Sequence, residues 1–283
     1  MAKVYEALRR AEEERKRRTG DETSPVAPLD VPPVPARAPV EKLDREPLWK
    51  RMTPTLRRRT RETAGEVNKR RISMLQPDSY VAEQFRTLRG RIDAIAAQRP
   101  IRTLAVSSPM AGEGKTTASV NLAVVTSMSV GRRVLLVDCD MRRPKVHQTL
   151  GLRPKAGLAE VLGEAVSLED AIVKVEGMNL EVLAVRGRPS NPSELLSSPS
   201  MLELVTEVAA RYDRVIFDTP AALGVPDAKA VAELSDGIVL VVRADVTSQQ
   251  DVEATLDLLD RSRLLGVVLN GAHVDHGRYG YTG

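Results

Sequence analysis

The stretch from Ser107 to Thr117 reads SSPMAGEGKTT and holds the residue types that bind phosphate. Gly112 and Gly114 let the backbone curl so that its N–H groups point inward around an anion. Lys115 follows, in reach of the outer phosphates, and the Thr116 hydroxyl stands where a Mg²⁺ ligand is needed. The full cradle would comprise Gly112, Glu113, Gly114, Lys115, Thr116 and Thr117. Pro109 replaces the first glycine of the G-x-x-x-x-G-K-[ST] pattern, so the bare pattern is incomplete. Context supplies what the pattern lacks. A buried-strand run, Thr103 to Val106, precedes the turn, and a helical pattern from Ala118 to Met128 follows it. A helix start adds unpaired N–H groups and a positive dipole end. An ordinary glycine-rich turn would need neither neighbour.

Three carboxylates sit at the ends of apolar runs. Asp138 and Asp140 follow Val134–Val137, and Asp218 follows Val215–Phe217. Beside a phosphate they would repel one another without a cation. Mg²⁺ resolves this by taking Thr116, phosphate oxygens and carboxylate-held waters. Asp218 fits the Walker B position. Asp138 and Asp140, two apart, point to one side in extended geometry. One of them is placed to orient a water in a hydrolase, or to accept a hydroxyl proton in a kinase. A plain helix cap or turn hydrogen bond is the alternative for either. Arg142 and Arg143 would brace transition-state charge or form a structural ion pair.

The elements that must hold these groups alternate regularly. Helices are predicted near 78–97, 118–128, 144–150, 157–163, 167–174, 201–210, 224–234 and 248–262. Strands are predicted near 103–106, 134–137, 180–185, 214–218, 238–242 and 265–269, with a proline-rich loop over 189–200. This is the pattern of an α/β fold with a doubly wound, mostly parallel sheet flanked by helices. Ligands bind at the carboxyl ends of such strands, where Lys115, Asp138, Asp140 and Asp218 fall. The helix over 78–97 puts Val81, Phe85, Leu88, Ile92 and Ile95 on one face. Glu83, Arg86 and Arg89, three apart, form a charge ladder on another.

The 283 residues suffice for one large domain and an extension. Residues 1–75 hold 19 Lys/Arg against 12 Asp/Glu; the remainder holds 23 against 26. The excess positive charge therefore belongs to the extension, which reads as largely disordered. Within it, residues 2–18 suggest a short amphipathic helix, and residues 21–40 a polyproline-type linker. Residues 41–72 form a basic segment suited to an anionic membrane surface, at about 1 kcal/mol per basic residue; nucleic acid is not the expected partner. The boundaries expected are 1–75 for the extension, 76–270 for the domain and 271–283 for a flexible tail. No apolar run approaches the roughly 20 residues that span a bilayer, and the start shows no signal peptide. One cysteine, Cys139, agrees with a reducing compartment, so a cytoplasmic protein is expected.

Taken together, the motifs resemble the bacterial tyrosine kinases of capsule and exopolysaccharide synthesis, within the P-loop NTPase superfamily. The matching stretches are Ala111–Thr117, Leu135–Pro144, Asn191–Leu196 and Val215–Pro220. Glu83, Arg86 and Arg89 fit that family's E-x-x-R-x-x-R motif. The resemblance covers about residues 76–283. It implies ATP and Mg²⁺, autophosphorylation on C-terminal tyrosines, and a homo-oligomeric ring joined through Glu83, Arg86 and Arg89. It also implies activation by a membrane protein that regulates polysaccharide chain length, hence recruitment to the inner face of the membrane. By match to the second Walker motif, Asp138 is the expected base, leaving Asp140 and Asp218 with Thr116 on the metal side; the exchange of Asp138 and Asp140 is the alternative. Two departures stand out. Ala111 replaces the family's usual proline, and the tail offers only Tyr279 and Tyr281 as acceptors. Tyr212 is expected to be packed. The rival is a ParA/MinD-like ATPase switch. Those proteins carry a signature lysine five residues before the loop lysine, where this chain has Met110.

Overall fold

A computed structural model describes residues 76–272. The amphipathic helix, proline linker and basic segment expected in 1–75, and the acceptors Tyr279 and Tyr281, lie outside the described residues.

Seven strands make one sheet: β1 (Thr103–Ser107), β2 (Val134–Asp138), β3 (Ile172–Lys174), β4 (Leu180–Leu183), β5 (Arg214–Asp218), β6 (Gly237–Arg243) and β7 (Leu264–Asn270). Their order is β3-β4-β2-β5-β1-β6-β7. Every pairing is parallel except β3 with β4. The helices are α1 (Tyr80–Ala96), α2 (Lys115–Ser127), α3 (Val146–Leu150), α4 (Leu158–Leu162), α5 (Leu168–Ala171), α6 (Pro192–Leu196), α7 (Pro199–Arg211), α8 (Asp227–Glu233) and α9 (Gln249–Leu258).

The apolar runs are continuous because both sheet faces are covered. Successive residues of one strand serve opposite cores. Leu136 and Ile216 pack with α1 and α2 on one side; Leu135, Val137, Val215 and Phe217 pack with α4 and α7 on the other. Each such side chain contributes roughly 1.5–3 kcal/mol by leaving water. Helix α2 is buried nearly all round, with Ala118, Ser119 and Ala123 among its buried residues. It is pressed between sheet and α1, so its first turn has a fixed place at the strand ends.

The structure corrects three expectations. The helix predicted over 167–174 stops at Ala171. Ile172 and Val173, β-branched, pass into the antiparallel edge strand β3 instead. The loop over 189–200 contains α6, and α7 already begins at Pro199. Both helices take proline in the first turn, where the missing N–H would have no partner anyway. On α1, Val81 is 37 % exposed and Ala82 is buried in its place. The apolar stripe shifts by one residue, 100° of rotation, where the helix begins.

Helix α1 is tied to the base of the sheet by charge. Asp93 accepts from Arg132 at 2.7 Å and from Arg214 at 3.1 Å. Arg214 is buried and also donates to the Ile101 carbonyl at 2.8 Å. Removing Asp93 would strand a buried guanidinium, which is the costly way to break such a pair. Asp93→Ala is expected to lower stability by about 1–3 kcal/mol, read as a lower urea midpoint at unchanged m-value; an unaltered midpoint would show that Arg214 needs no carboxylate.

Candidate active site

Strand β1 ends in the middle of the sheet, and the chain turns there into α2. Gly112 and Gly114 take φ of 90° and 97°, in the left-handed region that the tight curl requires. Gly114 is the N-cap of α2, so Lys115 is its first helical residue. Gly112, Gly114, Lys115, Thr116, Thr117 and Asp140 line a cavity of about 530 Å³ at the carboxyl ends of the strands. Asp140 apart, these are cradle residues predicted from sequence, and one member of that set is missing from the lining. The Glu113 side chain turns away from the cavity and is buried.

The carboxylates divide by position. Asp140 reaches the cavity and pairs with Lys115, Oδ2 to Nζ, at 3.1 Å. Asp138 and Asp218 lie behind it, fully buried and side by side in register on β2 and β5. Asp138 Oδ1 accepts the Asp140 N–H at 3.2 Å; Oδ2 accepts the N–H groups of Lys145 at 3.2 Å and Val146 at 3.1 Å. Asp138 thus shapes the turn that leads to α3, and its backbone bonds belong to the plain turn role as well. Burial, and then the charge of Asp218, push its carboxyl well above the usual carboxylate range. Asp218 accepts from the Ser119 hydroxyl at 2.9 Å through Oδ1, while Oδ2 is buried with no hydrogen-bond partner. Burial raises the Asp218 pKa to about 6, against the pull of Lys115, Thr116 and Ser119.

An unpartnered carboxylate oxygen next to a lysine and a threonine hydroxyl suits a hydrated divalent cation. Among the described residues, no group of three or more His, Cys, Asp or Glu side chains is gathered for a metal. The fit is to Mg²⁺, which keeps waters and phosphate oxygens and needs few protein ligands. Thr116, Asp140 and Asp218 are the residues that would hold it.

Arg142 forms the ion pair that the sequence left as an alternative. Its Nε donates to Asp227 Oδ2 and one Nη to Ser193 Oγ, each at 2.8 Å, and the Ser193 hydroxyl donates to Asp227 Oδ1 at 2.6 Å. Burial raises the Asp227 carboxyl, but the bonds from Arg142 and Ser193 outweigh it and hold the pKa below its ordinary value. This cluster joins the second acidic turn to α6 and α8. Asp227, Ser119, Thr247 and Asn270 were not singled out from sequence. Ser119 had a signal, four residues after Lys115 on the same helix face; Asp227 had only a charge opening a short helix. Of the interface trio, Glu83 and Arg86 pair at 2.9 Å on the surface. Arg89 donates to the Val125 carbonyl of α2 at 2.6 Å, so it already serves its own chain. Tyr212 is buried, as expected.

Burial disfavours the charged form of Asp218, and protonation relieves that cost. The folded pKa of Asp218 lies above its unfolded value, so its contribution to stability is full below pH 3.8 and is lost as pH rises through about 6. Asp218→Asn, which cannot ionise, is expected to stabilise the nucleotide-free protein by roughly 3 kcal/mol at pH 7 and by under about 1 near pH 4. Thermal unfolding at the two pH values checks this; equal effects at both would mean that Asp218 carries no strain.

Residues 101–264 match the AAA domain family. The chain is 40 % identical over 215 residues to the tyrosine-protein kinase YwqD of Bacillus subtilis, covering 75 % of this chain and 90 % of that protein. It is 34 % identical to the succinoglycan biosynthesis transport protein ExoP of Rhizobium meliloti, over 74 % of this chain and 27 % of that one. Among solved structures, the chimerical protein CapA2B2 superposes with a TM-score of 0.67 at 32 % identity, over 71 % of this chain and 89 % of that chain. With the phosphate loop, the paired acidic strand ends and the parallel sheet already in place, these relationships make the chain a member of the bacterial tyrosine kinases, within the P-loop NTPase superfamily.

Proposed function

We propose that the chain is an ATP-dependent tyrosine autokinase that regulates polymerisation and export of an exopolysaccharide or capsule. The observation that carries this reading is the meeting of Lys115 and Asp140 at 3.1 Å on the cavity wall, backed by a second buried carboxylate, Asp138. A simple ATPase needs one acidic strand end; here two adjacent strands supply three carboxylates. Family membership and the names of YwqD and ExoP support the choice of tyrosine and of polysaccharide. At Met110, the absence of the switch ATPases' signature lysine counts against that rival.

In this reading the loop N–H groups from Gly112 to Thr117 and the Lys115 ammonium bind the nucleotide phosphates. Mg²⁺, when bound, neutralises charge on the transferring phosphoryl group. Thr116, Asp140 and Asp218 would hold it, and the Lys115 ammonium, paired with Asp140 at 3.1 Å, would turn to phosphate. Asp138 accepts the proton of the acceptor hydroxyl. A tyrosine hydroxyl has a pKa near 10 and is a poor nucleophile without a base. Asp138 serves this task only in its ionised form, which its burial disfavours; its place behind Asp140 means that the acceptor must enter deeply or that Asp140 takes the role. Comparing Asp138→Asn with Asp140→Asn for phosphotyrosine yield at fixed nucleotide occupancy separates the two.

Tyr279 and Tyr281 are the acceptors assigned here. The tail's root, Asn270, stands beside Gly114, and the nine residues from there to Tyr279 span at most about 30 Å. Transfer between subunits of a ring joined through Glu83, Arg86 and Arg89 is the leading route; the chain's own tail also has the contour length to reach the site. A phosphate on either tyrosine adds about −1.5 to −2 charges beside a multi-carboxylate site, which favours departure of the tail. A membrane chain-length regulator is the proposed activator, with recruitment to the inner face of the membrane, and the basic extension the proposed lipid contact. No helix among the described residues is long and apolar enough to cross a membrane.

Purified protein with Mg·ATP is expected to acquire phosphotyrosine at Tyr279 or Tyr281. Lys115→Met should abolish the label, while Tyr279→Phe with Tyr281→Phe should abolish it and leave ATP hydrolysis. Hydrolysis by the wild type with no label on either tyrosine or on an added tyrosine peptide would favour the ATPase switch. A rate per molecule that rises with protein concentration is the expected mark of transfer between subunits; Glu83→Ala with Arg86→Ala and Arg89→Ala should remove that dependence.

A further inference from the structure

Glu113 is an odd neighbour for a phosphate site. A carboxylate there repels the ligand, yet this one is buried at the centre of the loop, 2 % exposed. Its Oε2 accepts the Met110 N–H at 3.0 Å, closing the loop on itself. Its Oε1 accepts the Thr247 hydroxyl, from the turn after β6. Thr247 Oγ1 in turn accepts the Arg243 N–H at 2.9 Å, which leaves its proton free for Glu113. Asp245, in the same turn, adopts a left-handed φ of 58°, a conformation aspartate tolerates.

Two backbone carbonyls of the loop are also held from outside. Asn270, the last residue of β7, donates from Nδ2 to the Glu113 carbonyl at 2.8 Å. Arg243, the last of β6, donates to the Gly112 carbonyl at 3.4 Å. In a planar trans peptide the carbonyl and the following N–H point in opposite directions. Holding the carbonyls of Gly112 and Glu113 outward therefore turns the N–H groups of Glu113 and Gly114 the other way. Gly114 must be glycine for a second reason as well: a Cβ there would lie 2.1 Å from Asn270 Nδ2.

We infer that Glu113, with Thr247 and Asn270, is a latch that sets the phosphate-binding geometry of the loop. The Glu113 and Asn270 side chains are positioning groups: they act on nucleotide through the directions of the loop N–H groups, without touching it. The inference deepens the nucleotide-binding part of the proposed function and is independent of the acceptor.

The test is equilibrium titration of the full chain with the fluorescent nucleotide mant-ATP and Mg²⁺, beside thermal unfolding without nucleotide. Glu113→Gln keeps an acceptor for Met110 and a donor for Thr247 while removing the charge. It is expected to bind at least as tightly as wild type. Glu113→Ala leaves the Met110 N–H and the Thr247 hydroxyl without partners and is expected to weaken binding about tenfold. Asn270→Ala, in case the first variant fails to fold, should weaken it by a similar factor. Wild-type affinity in both alanine variants would overturn the latch, and so would a glutamine variant as weak as the alanine one. A flat wild-type titration would remove the nucleotide-binding reading, and the latch with it.

Discussion

Two buried carboxylates that face each other across neighbouring strands dominate this structure. Asp138 and Asp218 are paired in register on β2 and β5, wholly out of water. Burial raises the proton affinity of both, and the charge of Asp218 raises that of Asp138 further. Everything nearby answers that conflict. Lys115 sits over Asp140, Ser119 bonds one oxygen of Asp218, and backbone N–H groups surround Asp138. One oxygen of Asp218 meets no partner at full hydrogen-bond geometry, with the Thr116 side chain nearby. A site of this kind gains when a hydrated divalent cation and a nucleotide arrive together, since each removes what makes the other unfavourable.

Such a conflict persists only in a frame that cannot relax. Helix α2 is held between sheet and α1, and strands buried on both faces leave no room for the carboxylates to separate. Around this rigid centre the flexible parts are tied by specific bonds. Arg142 gathers the second acidic turn, α6 and α8 onto Asp227. Glu113 and Asn270 gather the phosphate loop onto the ends of β6 and β7. The two sets of ties approach the cavity from opposite sides of the sheet order, so the strand ends fix the loops and the loops fix the chemistry.

The fold and much of the site were legible in the sequence because they rest on local rules. Unbroken apolar runs ending in aspartate mean buried parallel strands, and Gly-x-Gly-Lys-Thr between strand and helix means a phosphate cradle; both hold whatever the neighbours are. Where the sequence misled, a local preference lost to a neighbour. Ile172 and Val173 read as the end of a helix, but β4 offers them an edge to pair with. The prolines of 189–200 read as a loop, yet two of them open helices.

What only the tertiary structure decided is direction. Asp138 and Asp140 look equivalent along the chain, two residues apart at one strand end. Folding sends Asp140 to the cavity and Asp138 into the protein, because the turn to α3 needs the oxygens of Asp138 for its own N–H groups. Glu113 reads as part of the cradle and is, by backbone; its side chain faces the other way, drawn by Thr247, 134 residues later. Arg89 reads as one rung of a surface ladder and instead meets the Val125 carbonyl of α2. Periodicity and spacing carry residue type and element, which are properties of nearby chain. Which atom a side chain meets depends on how the folded chain brings its segments together, from 36 residues apart for Arg89 and Val125 to 134 for Glu113 and Thr247.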